Sequence, residues 1–396
     1  MRIGVLLNHD QIHQAAHCVP IAAALHGRGI DVTVVTTSAA LSAETARLAR
    51  LLGAPDIPIT ELHLRRPRSR IAAALFDRVL PAAKLAIYGD NVDIFDQFDA
   101  LIVAEKTSSI LRTRYRLDAL KLIHTRHGAG DRAIGFDKAS SRFDLVLVSG
   151  AKIYERLRSE AGVPPDRMAV VGYPKFDLLA LSPPSLPFAR DGRPTVLYNP
   201  HVSPHLSSWY RQGRAVLDHF LRDDRYNLIF APHVMLFQRR FVLSIEHFGI
   251  DRPGAIRRQY YEAPNIHIDL GSRASTDMSY TSAADIYLGD VSSQVYEFLQ
   301  RPRPCLFLNS HRVDWRHDPN YTHWQAGDVI EDVAELGPAI DAAGSRHQLY
   351  RPIQRRLFAQ SFDLDDRPSS ERAAEAILAF LSVAPQMAPL RQAVTA

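Results

Sequence analysis

The stretch Ala284-Asp285-Ile286-Tyr287-Leu288-Gly289-Asp290-Val291-Ser292-Ser293-Gln294-Val295-Tyr296-Glu297-Phe298-Leu299 holds the pattern from which the rest of the chain is read. Asp285 to Leu288 is a short, largely apolar run that leads through Gly289 into Asp290, as expected of a strand. Two serines follow Asp290 at a turn, and Val295, Tyr296, Phe298 and Leu299 give the next segment an apolar helical face. A strand that turns into a helix is half of a βαβ unit. The turn offers hydroxyls and backbone N–H groups where a helix N-terminus favours negative charge, so it reads as a phosphate cradle. Taken alone, a serine N-cap ahead of a buried helix gives the same pattern.

The alternation extends in both directions. Toward the N-terminus, strand-like runs fall at Ile3–Leu7, Val32–Thr36, Ala100–Ala104, Lys121–Thr125, Leu145–Ser149 and Met168–Val171, with helical patterns near Ala15–Gly27 and Leu41–Leu52. The densest proline and turn cluster spans Leu181 to Pro194 and reads as a linker. Alternation then resumes at Thr195–Tyr198, Asn227–Ala231, Ile266–Leu270 and Cys305–Leu308. The expected fold is α/β with two Rossmann-like domains, each on a parallel sheet and facing a shared cleft. Domain bounds are set at 1–180 and 190–368, followed by a C-terminal helix over 369–385 that packs back across the domains. A loose tail follows Pro385.

Composition narrows the function classes. The 396 residues are 46% apolar and 23% charged, and 47 basic residues against 43 acidic ones leave a formal charge of +4. Such balance argues against a nucleic-acid binder. Cys18 and Cys305 lie in separate apolar stretches, which fits buried thiols in a reducing compartment. Met1–Leu7 reads as a first strand rather than a leader, and no apolar run is long enough to span a bilayer. A cytoplasmic protein is expected, with any membrane contact peripheral, at the inner face of the plasma membrane.

Four further segments follow predicted strands. Arg126-His127-Gly128-Ala129-Gly130-Asp131-Arg132 places a histidine among glycines, which permit close ligand approach, and imidazole suits general acid–base work. Gly172-Tyr173-Pro174-Lys175-Phe176-Asp177 ends a strand in a tight turn, a role that needs no function. Tyr198-Asn199-Pro200-His201 and Ala231-Pro232-His233 each set a histidine just after a strand and a proline. Two such histidines in equivalent positions are better explained by a shared anionic ligand than by packing.

The order HG, GYP-x-x-D, Y-x-P, PH and D-x-SS-x-x-x-E resembles the CDP-glycerol glycerophosphotransferase family, the teichoic-acid-polymerase type. The resemblance runs from His127 to the Ser369-Ser370-Glu371-Arg372 segment. It implies a GT-B architecture, a CDP-activated polyol donor held mainly by the second domain, and displacement at phosphorus by a hydroxyl of a glycan or lipid acceptor; a UDP-activated donor belongs to the alternative of sugar transfer. No cofactor and no metal are implied. Carried onto this chain, His127 is the general base and His233 a catalytic contact to the donor phosphates. Ser292 and Ser293 hold the pyrophosphate, Asp290 orients the turn, and Glu297 reaches the ribose or the transferred group. Gly128, Tyr173, Pro174, Tyr198 and His201 complete the donor site.

The chain departs from the family after Pro200. Where threonine and a following arginine are usual, it has His201-Val202-Ser203-Pro204-His205, so histidine or serine donors take that place. Two other readings share the scaffold: a nucleotide-sugar glycosyltransferase or UDP-N-acetylglucosamine 2-epimerase relative, and a non-catalytic envelope-assembly factor that binds nucleotide or glycan. The epimerase pattern has a glycine pair after the aspartate, where this chain has Ser292-Ser293.

Arg65, Arg66, Arg68 and Arg70 precede the apolar run Ile71–Phe76. Basic residues beside an apolar helix face suit an anionic lipid surface, and they suit a solvated loop equally well. Asp363-Leu364-Asp365-Asp366 contains an Asp-x-Asp pair, but it directly precedes a helix start, where acidic residues are expected for dipole reasons.

Overall fold

The computed structural model describes the chain except residues 9–11, 77–81, 127, 182–185, 189–191, 239–240, 245–248 and 384–396. His127, the tail after Pro385 and much of the proline-rich linker therefore lie outside the described residues.

The first sheet contains β1 (Arg2–Leu7), β2 (Asp31–Thr36), β3 (Ile59–Glu61), β4 (Ala100–Val103), β5 (Lys121–Thr125), β6 (Leu145–Val148) and β7 (Met168–Val170). All pairings are parallel, in the order β3-β2-β1-β4-β5-β6-β7. The second sheet is built from β8 (Thr195–Asn199) and β9 (Asn227–Phe230), and an antiparallel ribbon of β10 (Val242–Ser244) and β11 (Gly249–Asp251) then intervenes. The sheet resumes with β12 (Ile266–Ile268), β13 (Ile286–Gly289), β14 (Cys305–Leu308) and β15 (Asp328–Ile330), again all parallel, in the order β12-β9-β8-β13-β14-β15. Both sheets reverse strand order once, at β1/β4 and at β8/β13, and such a switch point is where open α/β sheets place ligands.

Alternation along each strand feeds two apolar layers per sheet. Ile3, Val5, Ala100 and Ile102 pack on one face of the first sheet, and Leu6, Leu101 and Val103 on the other. In the second sheet Val196, Tyr198, Leu228 and Phe230 share one layer, while Leu197, Ile229 and Tyr287 face the opposite one. Strands covered on both faces read as continuous apolar runs, which is why these elements were visible in the sequence. Cys18 and Cys305 are both buried free thiols.

The long helix Leu336–Ser361 lies along β14 and β15 and reaches the first-domain helix Ala151–Ser159. The chain then crosses back: Ser149 Oγ donates to Ser361 O at 2.8 Å and Asp363 N to Ser149 O at 2.7 Å. The helix Ser369–Val383 packs on Ala15–His26 and puts Ala373, Ala374 and Ile377 into the first-domain core. Asp177 explains its position, because its carboxylate accepts from Ser369 N at 3.0 Å and Ser370 N at 2.8 Å, capping the helix from another part of the chain. Gly172 adopts φ +81°, and a Cβ there would lie 2.4 Å from Ser369 Oγ, so only glycine admits the returning helix.

Among the described residues no helix is long and apolar enough to cross a membrane.

Candidate functional site

The carboxyl ends of the two sheets enclose a cleft of about 680 Å³, lined by residues of both domains. Each strand end contributes residues of the loop that follows it: Ala104–Thr107 after β4, Arg126, Gly128, Gly130, Asp131 and Arg132 after β5, His201 after β8, His233 after β9 and Val291–Gln294 after β13.

On the second-domain side, Asp290 organises the loops rather than the cleft wall. Its Oδ1 accepts from His201 N at 2.8 Å and Val291 N at 2.6 Å, and its Oδ2 from Ser208 N at 2.6 Å and Ser208 Oγ at 2.8 Å. Burial pushes this carboxyl up against four donors that favour the carboxylate. One side chain thereby fixes the His201 loop and the serine turn in a single register. Ser292 Oγ accepts from Gln294 N at 3.3 Å, a local cap, while Ser293 is exposed in the cleft. The helix behind them, Gln294–Phe298, has only 5 residues, so its dipole is short and the hydroxyls and turn N–H groups are the main donors this turn presents.

The first-domain loop meets Ser293 closely. A Cβ on Gly130 would lie 3.0 Å from Ser293 Cβ, and one on Gly128, whose φ is +109°, would lie 3.4 Å from Ser293 Oγ. Glycine at both positions allows the two domains this approach.

Asp131 joins the halves. Its carboxylate accepts from Lys152 Nζ at 2.9 Å within the first domain, and from the second-domain Tyr296 hydroxyl at 2.7 Å and His323 Nδ1 at 2.9 Å. The other His323 nitrogen, Nε2, lies 2.9 Å from the Asp290 carbonyl oxygen, to which Trp324 Nε1 also donates at 2.7 Å. Lys152 Nζ sits over the Tyr296 ring, 3.5 Å from its centroid. Burial alone would raise the Asp131 carboxyl, but Lys152 and His323 hold it well below the usual carboxylate range.

Glu297 forms a second buried pair. Its Oε1 accepts from Lys175 Nζ at 2.7 Å and from the Tyr173 hydroxyl at 2.9 Å, so the tight turn of the first domain reaches a carboxylate of the second. Tyr173 stacks edgewise on Phe176 and His17, which holds its hydroxyl in that direction.

Of the residues expected from sequence, Gly128, Tyr173, His201, His233, Ser292, Ser293 and Glu297 line the cleft. Pro174 is buried in the turn beneath it, and Asp290 acts through backbone groups. Tyr198 is placed elsewhere: strand alternation turns it into the core layer with Phe230, and its hydroxyl lies 2.9 Å from Ser208 Oγ. His127 lies outside the described residues. Arg65, Arg66, Arg68 and Arg70 are exposed around the start of the helix Pro67–Phe76, and none of them lines the cleft. Among the described residues, Arg65 engages Asp93 at 2.7 Å and Arg66 engages Asp90 at 3.6 Å.

Sequence reading did not assign Asp131, Arg132, Lys152, Lys175 or His323. Asp131 and His323 are 192 positions apart, so no local spacing links them, although an acidic residue in a glycine loop at a strand end was a usable signal for the first. Among the described residues no group of three or more His, Cys, Asp or Glu side chains is arranged to hold a metal ion.

No family model and no curated protein matches this sequence. The fold does match solved structures. The UDP-GlcNAc 2-epimerase from Neisseria meningitidis bound to UDP-GlcNAc superposes with a TM-score of 0.61 at 13% identity, covering 96% of this chain and 100% of that one. The wall teichoic acid polymerase TagF superposes with a TM-score of 0.62 at 12% identity, over 96% of this chain and 89% of that one. The Methanocaldococcus jannaschii UDP-GlcNAc 2-epimerase in complex with UDP-GlcNAc and UDP gives 0.61 at 14% identity, over 96% and 100%. At these identities the likeness establishes the two-domain GT-B architecture.

Proposed function

We propose that the cleft binds a nucleoside-diphosphate-activated donor, and that the protein transfers glycerol phosphate, or a related polyol phosphate, from a CDP-activated donor to a hydroxyl of a cell-envelope glycan or lipid. The observation that carries this reading is the meeting of Ser292, Ser293, His201 and His233 with the glycine loop of the first domain, at facing switch points. In this reading the acceptor oxygen attacks the glycerol-bearing phosphorus, the bond from that phosphorus to the CMP oxygen breaks, and CMP leaves. His127 takes the hydroxyl proton. Phosphoryl transfer needs mainly positioning and charge stabilisation, which serine hydroxyls, turn N–H groups and histidines supply.

The donor roles divide by location. Ser292, Ser293 and His233 hold the diphosphate, and Glu297, oriented through Oε1 by Lys175 and Tyr173, faces the ribose or the transferred group. The likeness in fold to enzymes solved with UDP-GlcNAc supports a second reading, nucleotide-sugar transfer or 2-epimerisation on the same cradle.

Product analysis separates the two. Incubation with CDP-glycerol and a glycan or lipid hydroxyl acceptor should release CMP, and incubation with UDP-GlcNAc should leave the sugar nucleotide unchanged. Release of UDP, or appearance of the 2-epimer, would move the assignment to the second reading, and binding without turnover would indicate a binding factor. The exposed arginines beside Ile71, itself 60% exposed, support a peripheral contact with anionic lipid on this face. Sedimentation with anionic vesicles should fall when Arg68 and Arg70 are replaced by serine, and equal sedimentation removes that contact from the proposal.

A further inference from the structure

The His201 ring sits between two donors. Ser203 N donates toward Nδ1 at 3.0 Å, and Arg132 Nη1 lies 3.2 Å from Nε2. A neutral imidazole carries one proton, so one of these contacts sets donor against donor, and a second ring proton would make both unfavourable. The Ser203 amide is fixed by the turn that Asp290 anchors. Nδ1 is therefore the acceptor, and Nε2 carries its proton against the guanidinium.

The same device recurs on the adjacent strand. Met235 N donates to His233 Nδ1 at 3.3 Å, which assigns the proton of that ring to Nε2 as well, and the two ring centroids lie 5.7 Å apart. Burial, with His233 and Arg132 nearby, keeps His201 far below the ordinary imidazole value and so uncharged. Two N–H donors of the second domain and a guanidinium of the first thus meet in the cleft, and an oxyanion bridging Arg132 and His201 turns their opposed contact into two charge-assisted hydrogen bonds.

We propose that Arg132 and His201 form a clamp for a phosphate oxygen of the donor, on the phosphate that carries the transferred group. This rests on the donor reading above and adds to it a residue from the opposite domain. Arg132 belongs to the first-domain loop and His201 to the second domain, so the clamp is complete only with both domains in place. It selects a diphosphate over a monophosphate.

Equilibrium titration of the full-length protein with CDP, CMP and inorganic pyrophosphate tests the clamp, using wild type, Arg132→Ala and Arg132→Lys. Arg132→Ala should weaken CDP and pyrophosphate about 10- to 100-fold, the scale of a hydrogen bond to a charged group, and change CMP less than about threefold. Arg132→Lys should fall between, because it keeps the charge without the planar fork. Unchanged melting curves establish that the variants are folded. CDP and CMP weakened alike, or CDP unaffected, would overturn the clamp while leaving the nucleotide reading in place. Arg132-dependent pyrophosphate binding without any nucleotide binding would keep the clamp and remove that reading, and a wild type that binds none of the three would remove both.

Discussion

Replacing Asp131 by alanine is expected to destabilise the protein by about 3 to 5 kcal/mol, the scale seen when one partner of a buried ion pair is removed. Asp131 is 1% and Lys152 12% exposed at the side chain, so the lysine left behind has little water to turn to. The Tyr296 hydroxyl and His323 also lose their acceptor. For a two-domain chain this corresponds to a melting temperature lower by on the order of 10 °C, read by thermal denaturation. Replacing Lys152 by methionine in the same protein should recover much of the loss, since an apolar side chain needs no partner there. A loss below about 2 °C for Asp131→Ala would show that neither its ion pair with Lys152 nor its contacts with Tyr296 and His323 hold the fold together.

The pH dependence follows from the direction of the shift. The folded carboxyl is held below its unfolded value of roughly 3.9, so its contribution is fully present above that pH. It is lost only as pH falls through the depressed folded value. Asp131 therefore predicts no loss of stability between about pH 5 and 8, and a melting temperature that falls steeply over that range would contradict it.

The second large effect is kinetic. His127→Ala should lower turnover by about 10² to 10⁴, the usual contribution of a general base, while nucleotide affinity stays within about threefold. Gly128, the next residue, stands against Ser293, which puts this loop at the cradle. A loss confined to turnover indicates a group that acts on the acceptor proton, whereas equal losses in binding and turnover indicate a donor-binding group. Turnover within tenfold of wild type would remove His127 from the chemistry.

Most of the architecture was legible because buried parallel strands are short and apolar, and several, such as those before Gly172, Pro200 and Pro232, run into a glycine or proline. Ile59–Glu61 and Asp328–Ile330 escaped, each being three residues at the sheet edge with polar or half-exposed positions. The cleft loops were legible as strand-end motifs. Tyr198 was misplaced because its motif says nothing about which face of β8 it occupies, and alternation puts it in the core. The GYP-x-x-D segment showed a turn, but the partner of Asp177 stands 192 positions later at Ser369, beyond any local pattern. The same distance hid Asp131 and His323. Long-range pairs of this kind are set by topology, and only the two sheets facing each other bring them into contact.

The central claim is that the cleft holds a nucleoside diphosphate between the two sheets, and a crystal structure of the complex with CDP or UDP tests it most directly. The account predicts the diphosphate within about 3 Å of Ser292 or Ser293 and of the His233 imidazole, the range of charge-assisted hydrogen bonds, with Arg132 on the far phosphate. A nucleotide bound outside this cleft, or one whose phosphates touch neither the serine turn nor the histidines, would contradict it.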